Sequence, residues 1–168
     1  MKVWLTAVAG IAAVVLATAS AAEATVTFNP QTRTGFIGRG DVIAAAGKGS
    51  LVPDPLVSYE KVQSYTETCT WQDGSSVQAT GSSFLFLLFQ AETRYAPHST
   101  KITGYTISPA DIIDGETSDP DEARALCWAA RGLPDDGSDV TQTFVLGSSV
   151  ATLTYFGPNG PVQLPFSP

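Results

Sequence analysis

The chain has 168 residues, 43% of them apolar and 15% charged, with 9 Lys and Arg against 16 Asp and Glu for a net charge of −7. That apolar content excludes a disordered chain, and the acidic balance excludes nucleic acid as a leading partner, because binding a phosphate backbone needs a basic face. Sparse charge together with 15 Gly and 11 Pro is the balance of a β-rich domain with many turns.

Residues 1–24 read as a secretory signal peptide. Lys2 supplies a positive start, residues 5–19 form an apolar run broken only by Thr and Gly, and small residues at Ala19-Ser20-Ala21 and Ala22-Glu23-Ala24 suit cleavage after Ala21 or Ala24. The run is shorter than the roughly 20 residues that a membrane span needs. The expected mature protein is therefore one secreted domain over 25–168, periplasmic or extracellular, with no membrane span.

A first strand is expected over 25–28, stopped by Asn29-Pro30. Gly35, Gly38 and Gly40 then lead to Asp41, which suits the cap of a short helix over 42–46 ended by Gly47, although the same apolar run also fits a buried strand. Residues 48–55, with Pro53 and Pro55, read as a loop. The segment Phe28-Asn29-Pro30 followed by Thr34-Gly35-Phe36-Ile37-Gly38-Arg39-Gly40-Asp41-Val42 resembles the start of small secreted bacterial proteins of unknown function. The resemblance covers the mature N-terminus alone, implies no activity and assigns no site. Within it, Arg39-Gly40-Asp41 spells a tripeptide that integrins bind, but a turn explains its Gly and a cap its Asp.

Val57, Tyr59, Tyr65, Cys69 and Trp71 share one parity, while Ser58, Glu60, Ser64, Thr66, Thr68 and Thr70 share the other, the period of a half-buried strand. Lys61, Gln63 and Glu67 interrupt the apolar face, which predicts a bend or a solvated end. Asp73-Gly74 predicts a hairpin into a run that peaks at Phe84-Leu85-Phe86-Leu87-Leu88-Phe89. Apolar on both faces, this run is expected to be the buried centre of the sheet. Residues 97–100 should turn the chain into a partner strand over 101–107. Asp119-Pro120-Asp121-Glu122 then places a cap, a first-turn proline and first-turn acids ahead of Ala123, Leu126, Cys127 and Ala130 at helical spacing. A helix over 120–131, closed by Gly132 and Pro134, follows. Strands over 141–146 and 150–156, a turn at Gly157-Pro158-Asn159-Gly160 and a last strand over 162–166 complete the reading. The fold class is mainly β, an antiparallel sandwich or partly open barrel with one short helix tied by a disulfide, and α+β remains open.

Cys69 and Cys127 are the two cysteines, and in an oxidising compartment an isolated pair most simply forms one disulfide. Such a bridge stabilises by roughly 3 to 4 kcal/mol in the chain-entropy picture. His98 is the sole histidine and sits in Pro97-His98-Ser99-Thr100, an expected exposed turn and a poor setting for a buried catalytic base. No G-x-S-x-G elbow accompanies it. The glycines at 35, 38 and 40 lack the Lys-Ser/Thr ending of a phosphate cradle, so no nucleotide cofactor is implied.

The acidic residues are the stronger candidates. Asp111, Asp114, Glu116, Asp119, Asp121 and Glu122 are followed by Asp135, Asp136 and Asp139, and of these Asp111, Asp114, Glu116, Asp135, Asp136 and Asp139 are the candidate ligands for a weak calcium site. Their bland alternative is helix capping and a solvated acidic surface. A carboxylate pair for glycoside hydrolysis is a further option. Tyr59, Tyr65, Tyr95, Tyr105 and Tyr155 suit either an aromatic platform for a glycan or protein partner, or sheet packing. The expected function is a non-enzymatic envelope or extracellular binding or structural protein. The alternatives are a small secreted hydrolase using acidic residues and a self-assembling surface protein joined through the strand over 162–166, an edge that Pro161, Pro165 and Pro168 blunt.

Overall fold

The computed structural model describes residues 25–118 and 120–166, so the expected signal segment and the expected helix cap Asp119 lie outside the described residues. The elements in chain order are β1 (Thr27–Asn29), β2 (Thr34–Gly38), α1 (Arg39–Ala46), β3 (Leu56–Trp71), β4 (Ser76–Gln90), β5 (Glu92–Tyr95), β6 (Ile102–Ile107), a 3-10 turn (Pro109–Asp111), β7 (Ile112–Thr117), α2 (Pro120–Arg131), β8 (Val140–Gly157) and β9 (Gly160–Gln163). Two antiparallel sheets result, β1-β2-β6-β5 and β7-β4-β3-β8-β9. They pack as a sandwich and do not close into a barrel.

The period of two explains the core. Tyr59 lies between Leu87 and Leu153, and Val57 between Phe89 and Tyr155, so one face of the basal half of β3, β4 and β8 is continuously apolar. The small sheet covers that face with Phe28, Ile37, Tyr105 and Ile107, while Val42 of α1 and Leu164 after β9 join the same cluster. Phe28 stacks on Tyr59 at 4.6 Å and meets Phe89 edge-on at 5.5 Å. Two buried phenols hold the loop before β3. The Tyr105 hydroxyl donates to the Val52 carbonyl at 2.8 Å and the Tyr155 hydroxyl to the Ser50 carbonyl at 2.7 Å. Burial pushes the Tyr105 phenol well above its ordinary value.

Beyond the small sheet the three long strands continue and meet α2 instead. Cys69, Trp71, Cys127 and Trp128 form a second, separate apolar cluster there. The Cys69–Cys127 disulfide joins α2 to β3, and the two indoles meet edge-on at 5.3 Å. The helix spans the residues its cap and periodicity predict.

Several expectations are corrected. The run at 84–89 is not the buried centre of its sheet, because β3 occupies that place. Leu87 and Phe89 point into the core, but Phe84 is 40% exposed on the opposite face, where no second layer lies among the described residues. Glu67, expected to mark a bend or a solvated end, is wholly buried beneath α2. Asp41 does not cap α1, since the helix begins at Arg39 after Gly38 and leaves Asp41 in its first turn, where its carboxylate accepts the Thr25 hydroxyl. The two strands expected over 141–146 and 150–156 are one strand with a bulge. Register slips by one where Gln63 pairs with Ser149 and Tyr65 with Leu146. A Cβ on Gly147 would stand 2.5 Å from Ser64 Oγ, so this close approach requires glycine. Strands β2 and β7 are additions to the sequence reading.

Candidate functional site

The outer face of the five-stranded sheet carries the most distinctive surface. Register aligns Phe84, Val62 and Val150 in one row across β4, β3 and β8, and Glu116, Phe86, Glu60 and Thr152 in the next. Val62 is 48% exposed and Val150 64% exposed. Leu56 and Phe156, paired across β3 and β8, extend the apolar surface toward the basal end. An open groove of about 430 Å³ runs along it, with Val62, Phe84 and Phe86 on its floor and Glu60 and Glu116 at its sides, and Lys61 also borders it. Contiguous exposed apolar surface of this kind makes this face the candidate interaction site. Two carboxylates against one lysine, beside an aromatic floor, favour a ligand that combines an apolar body with positive charge. Toward the distal end the same face turns from apolar to hydroxyl, with Thr68 opposite Thr143 and Thr70 opposite Thr141.

The edge of β8 is a second unusual surface. Strand β9 pairs with β8 only over 154–157, and the Leu164 amide adds one bond to the Leu153 carbonyl. From Val140 to Thr152 the outer edge has no strand partner among the described residues. Phe144, Val145 and Leu146 on this stretch are 51%, 71% and 70% exposed. Phe144 and Leu146 share the face of α2, where Phe144 touches Tyr65 edge-on at 5.5 Å, and Val145 lies on the outer face.

The predicted acidic residues fall into two places. Asp111 closes a capping box on the 3-10 turn, its Oδ2 accepting from the Ser108 amide at 3.2 Å and hydroxyl at 2.8 Å. Asp114 and Glu116 lie on β7 opposite Leu88 and Phe86. At the other end of the sheet, Asp135 accepts two bonds from Arg124 at 2.7 and 2.8 Å, Asp136 accepts the Ser138 amide at 2.9 Å, and Asp139 accepts Gln72 Nε2 at 3.2 Å. The Arg124 bonds hold the Asp135 carboxyl below its ordinary value, and the Ser138 bonds do the same for Asp136. The stretch of β3 from Glu60 to Trp71, about 35 Å at the usual rise per residue, separates the two places. A single ion does not span that distance. Among the described residues, the one set of three ligand atoms within reach of one ion is Glu67, Cys69 and Cys127, and there the sulfurs are joined to each other.

The remaining candidates are placed as follows. His98 is exposed in the turn between β5 and β6, at a positive φ of 53°. Tyr59, Tyr105 and Tyr155 are buried packing residues, Tyr65 is half-buried, and Tyr95 is 49% exposed. Arg39 sits in α1 and donates to the Ile102 carbonyl at 3.0 Å, so the Arg-Gly-Asp tripeptide is helical. At the distal end the Arg131 guanidinium lies 4.2 Å from the Trp71 ring centre and donates to Asp73 at 3.2 Å. Glu67 accepts Gln142 Nε2 at 3.0 Å through one oxygen, while its other oxygen and the Trp71 and Trp128 indole nitrogens have no hydrogen-bond partner among the described residues.

Glu60, Val62, Phe84, Phe86 and the β8 edge were absent from the sequence candidates. The one signal for them was the two-faced apolar run of β4, which fits a covered sheet equally well. No protein-family model matches the chain, and no curated protein or solved structure matches it either.

Proposed function

We propose that this chain is a non-enzymatic binding module that works outside the cytoplasm and takes its ligand on the outer face of the five-stranded sheet. The observation that carries the reading is the groove over Val62, Phe84 and Phe86 with Glu60 and Glu116 at its sides. The ligand that fits is amphipathic and cationic, such as a peptide segment with Lys or Arg beside aliphatic or aromatic residues. Burying the apolar floor supplies the driving force at about 25 cal/mol per Å², and the carboxylates select the sign of charge. A buried disulfide and the absence, among the described residues, of a helix long and apolar enough to cross a membrane are compatible with a site of action outside the cytoplasm. A hydrolase drawing on both groups of acidic residues is disfavoured, because about 35 Å of β3 separates them.

The test is a heteronuclear NMR titration with dodecyltrimethylammonium, compared with dodecyl sulfate, both below micelle formation. The expected result is shifts confined to the Val62 and Val150 methyls and the neighbouring amides of β4 with the cationic probe. Affinity should fall about tenfold in the Glu60→Gln, Glu116→Gln double variant. Equal binding of the anionic probe, or shifts spread away from this face, overturns the reading.

A further inference from the structure

The edge of β8 points to a different partner from the groove: we propose that two copies of this chain join through it, β8 against β8 about a two-fold axis, to make one continuous antiparallel sheet. Edge strands expose unpaired amides and carbonyls, and folded proteins blunt them with charge, proline, short length or a covering element. The other free edges among the described residues are blunted, except the distal half of β4, which likewise lacks charge and proline but presents polar side chains. Asp114 and Glu116 lie on β7, Glu92 and Arg94 on β5, and Pro161 on β9, while β1 is only 3 residues long. The distal half of β4 is flanked by α2 and offers Ser76, Gln78, Thr80 and Ser82. Strand β8 has neither charge nor proline, and the bulge at Gly147–Ser148 is its one device of this kind. Its sequence from Val140 to Gly157 contains no charged residue and no proline.

The choice of a second copy rests on charge and symmetry. Two molecules of net charge −7 repel over most of their surface, and an uncharged strand is where they can approach without placing like charges opposite each other. An antiparallel edge also meets its own copy about a two-fold axis without any other sequence, since residue i faces j and j faces i. Such a pairing centred near Val145 sets Phe144 and Leu146 of both copies side by side on the α2 face, and Val145 of both copies on the outer face. It thereby supplies backbone partners and apolar neighbours to a stretch that is otherwise exposed on both faces.

The experiment is analytical ultracentrifugation and amide hydrogen exchange on the protein purified with its disulfide intact, from micromolar to millimolar concentration. A reversible monomer–dimer equilibrium is expected, with amides within 140–150 gaining protection as the dimer fills. A Val145→Lys, Leu146→Lys variant, altered at side chains about 70% exposed, should keep the wild-type circular dichroism and raise the dimer dissociation constant at least about tenfold. Should that variant fail to fold, Val145→Thr, Leu146→Thr replaces it, and the exchange pattern of the wild-type protein still decides. A protein monomeric throughout, a dimer whose protection maps elsewhere, or an assembly indifferent to both substitutions overturns the proposal. The groove variants Glu60→Gln and Glu116→Gln leave this equilibrium unchanged, so failure of either proposal is read separately.

Discussion

Gly104 shows how one residue joins the two strands β2 and β6. It faces Gly38 in the register, and a Cβ there would stand 2.6 Å from the Ile37 carbonyl and 2.8 Å from the Phe36 ring. A backbone oxygen cannot step aside as the end of a flexible side chain can. Gly104→Ala is expected to destabilise by about 1 to 3 kcal/mol, as overpacking does, measured as a lower denaturation midpoint at unchanged slope. An unchanged midpoint would mean that the two strands separate more easily than their register implies. Glu67 illustrates the reverse difficulty at this scale. Its alternation with Tyr65 and Cys69 was legible, but its burial was not, because only the placement of α2 over that face decides whether an acid in a strand meets water or a helix.

At the scale of the element, α2 is held from three directions. The disulfide ties its C-terminal half to β3, Arg131 lies on Trp71, and Arg124 grips Asp135 in the loop that follows. Asp135, Asp136 and Asp73 all titrate below their ordinary value, Asp73 chiefly through its Ser75 bonds. A carboxyl whose folded value is lowered adds stability that is fully present above the unfolded value near pH 4 and lost as pH falls through the folded one. Denaturation midpoints should therefore decline as the pH falls below about 4. Asp135→Asn should flatten that decline by lowering the midpoint near pH 7 while leaving its acid end unchanged, and the change is small because the ion pair is solvent-exposed. A decline of equal steepness in the variant would remove Asp135 from the account. The limits of α2 were readable from Pro120, the Ala123–Leu126–Cys127–Ala130 spacing and Gly132, all local signals. Strand β7 was not, because its acids hide a strand whose reason to exist is the edge of β4.

The whole molecule has two apolar clusters on one set of long strands, the larger between the sheets and the smaller beneath α2. Their separation predicts uneven stability. Reducing the Cys69–Cys127 bridge should cost about 3 to 4 kcal/mol of stability. The accompanying gain in amide exchange should concentrate in α2 and the distal ends of β3 and β4, with Tyr59, Phe89 and Tyr155 still protected. Exchange that rises uniformly would show a single cooperative unit. At this scale, too, the groove and the β8 edge come into being: the small sheet and α2 both pack on the inner face and leave the outer one open, and β9 pairs with only the end of β8.

The sequence by itself determined the elements whose causes are local: the alternation of β3, the Asp73-Gly74 hairpin, the start and stop of α2, and a disulfide that two lone cysteines make the simplest pairing. It also determined that β8 would be uncharged, which is a property of composition. The tertiary structure alone decided which apolar faces are covered. Phe84 and Phe89 belong to the same apolar run, yet one meets solvent and the other the core. They point to opposite faces of β4, and the small sheet packs on only one of those faces, a choice that contributes no signal to the run itself. The acidic residues were likewise separated by distance along the strands, a quantity that spacing in the chain does not contain. Glu116 and Asp135 are near in sequence, but α2 intervenes and carries the chain to the other end of the sheet.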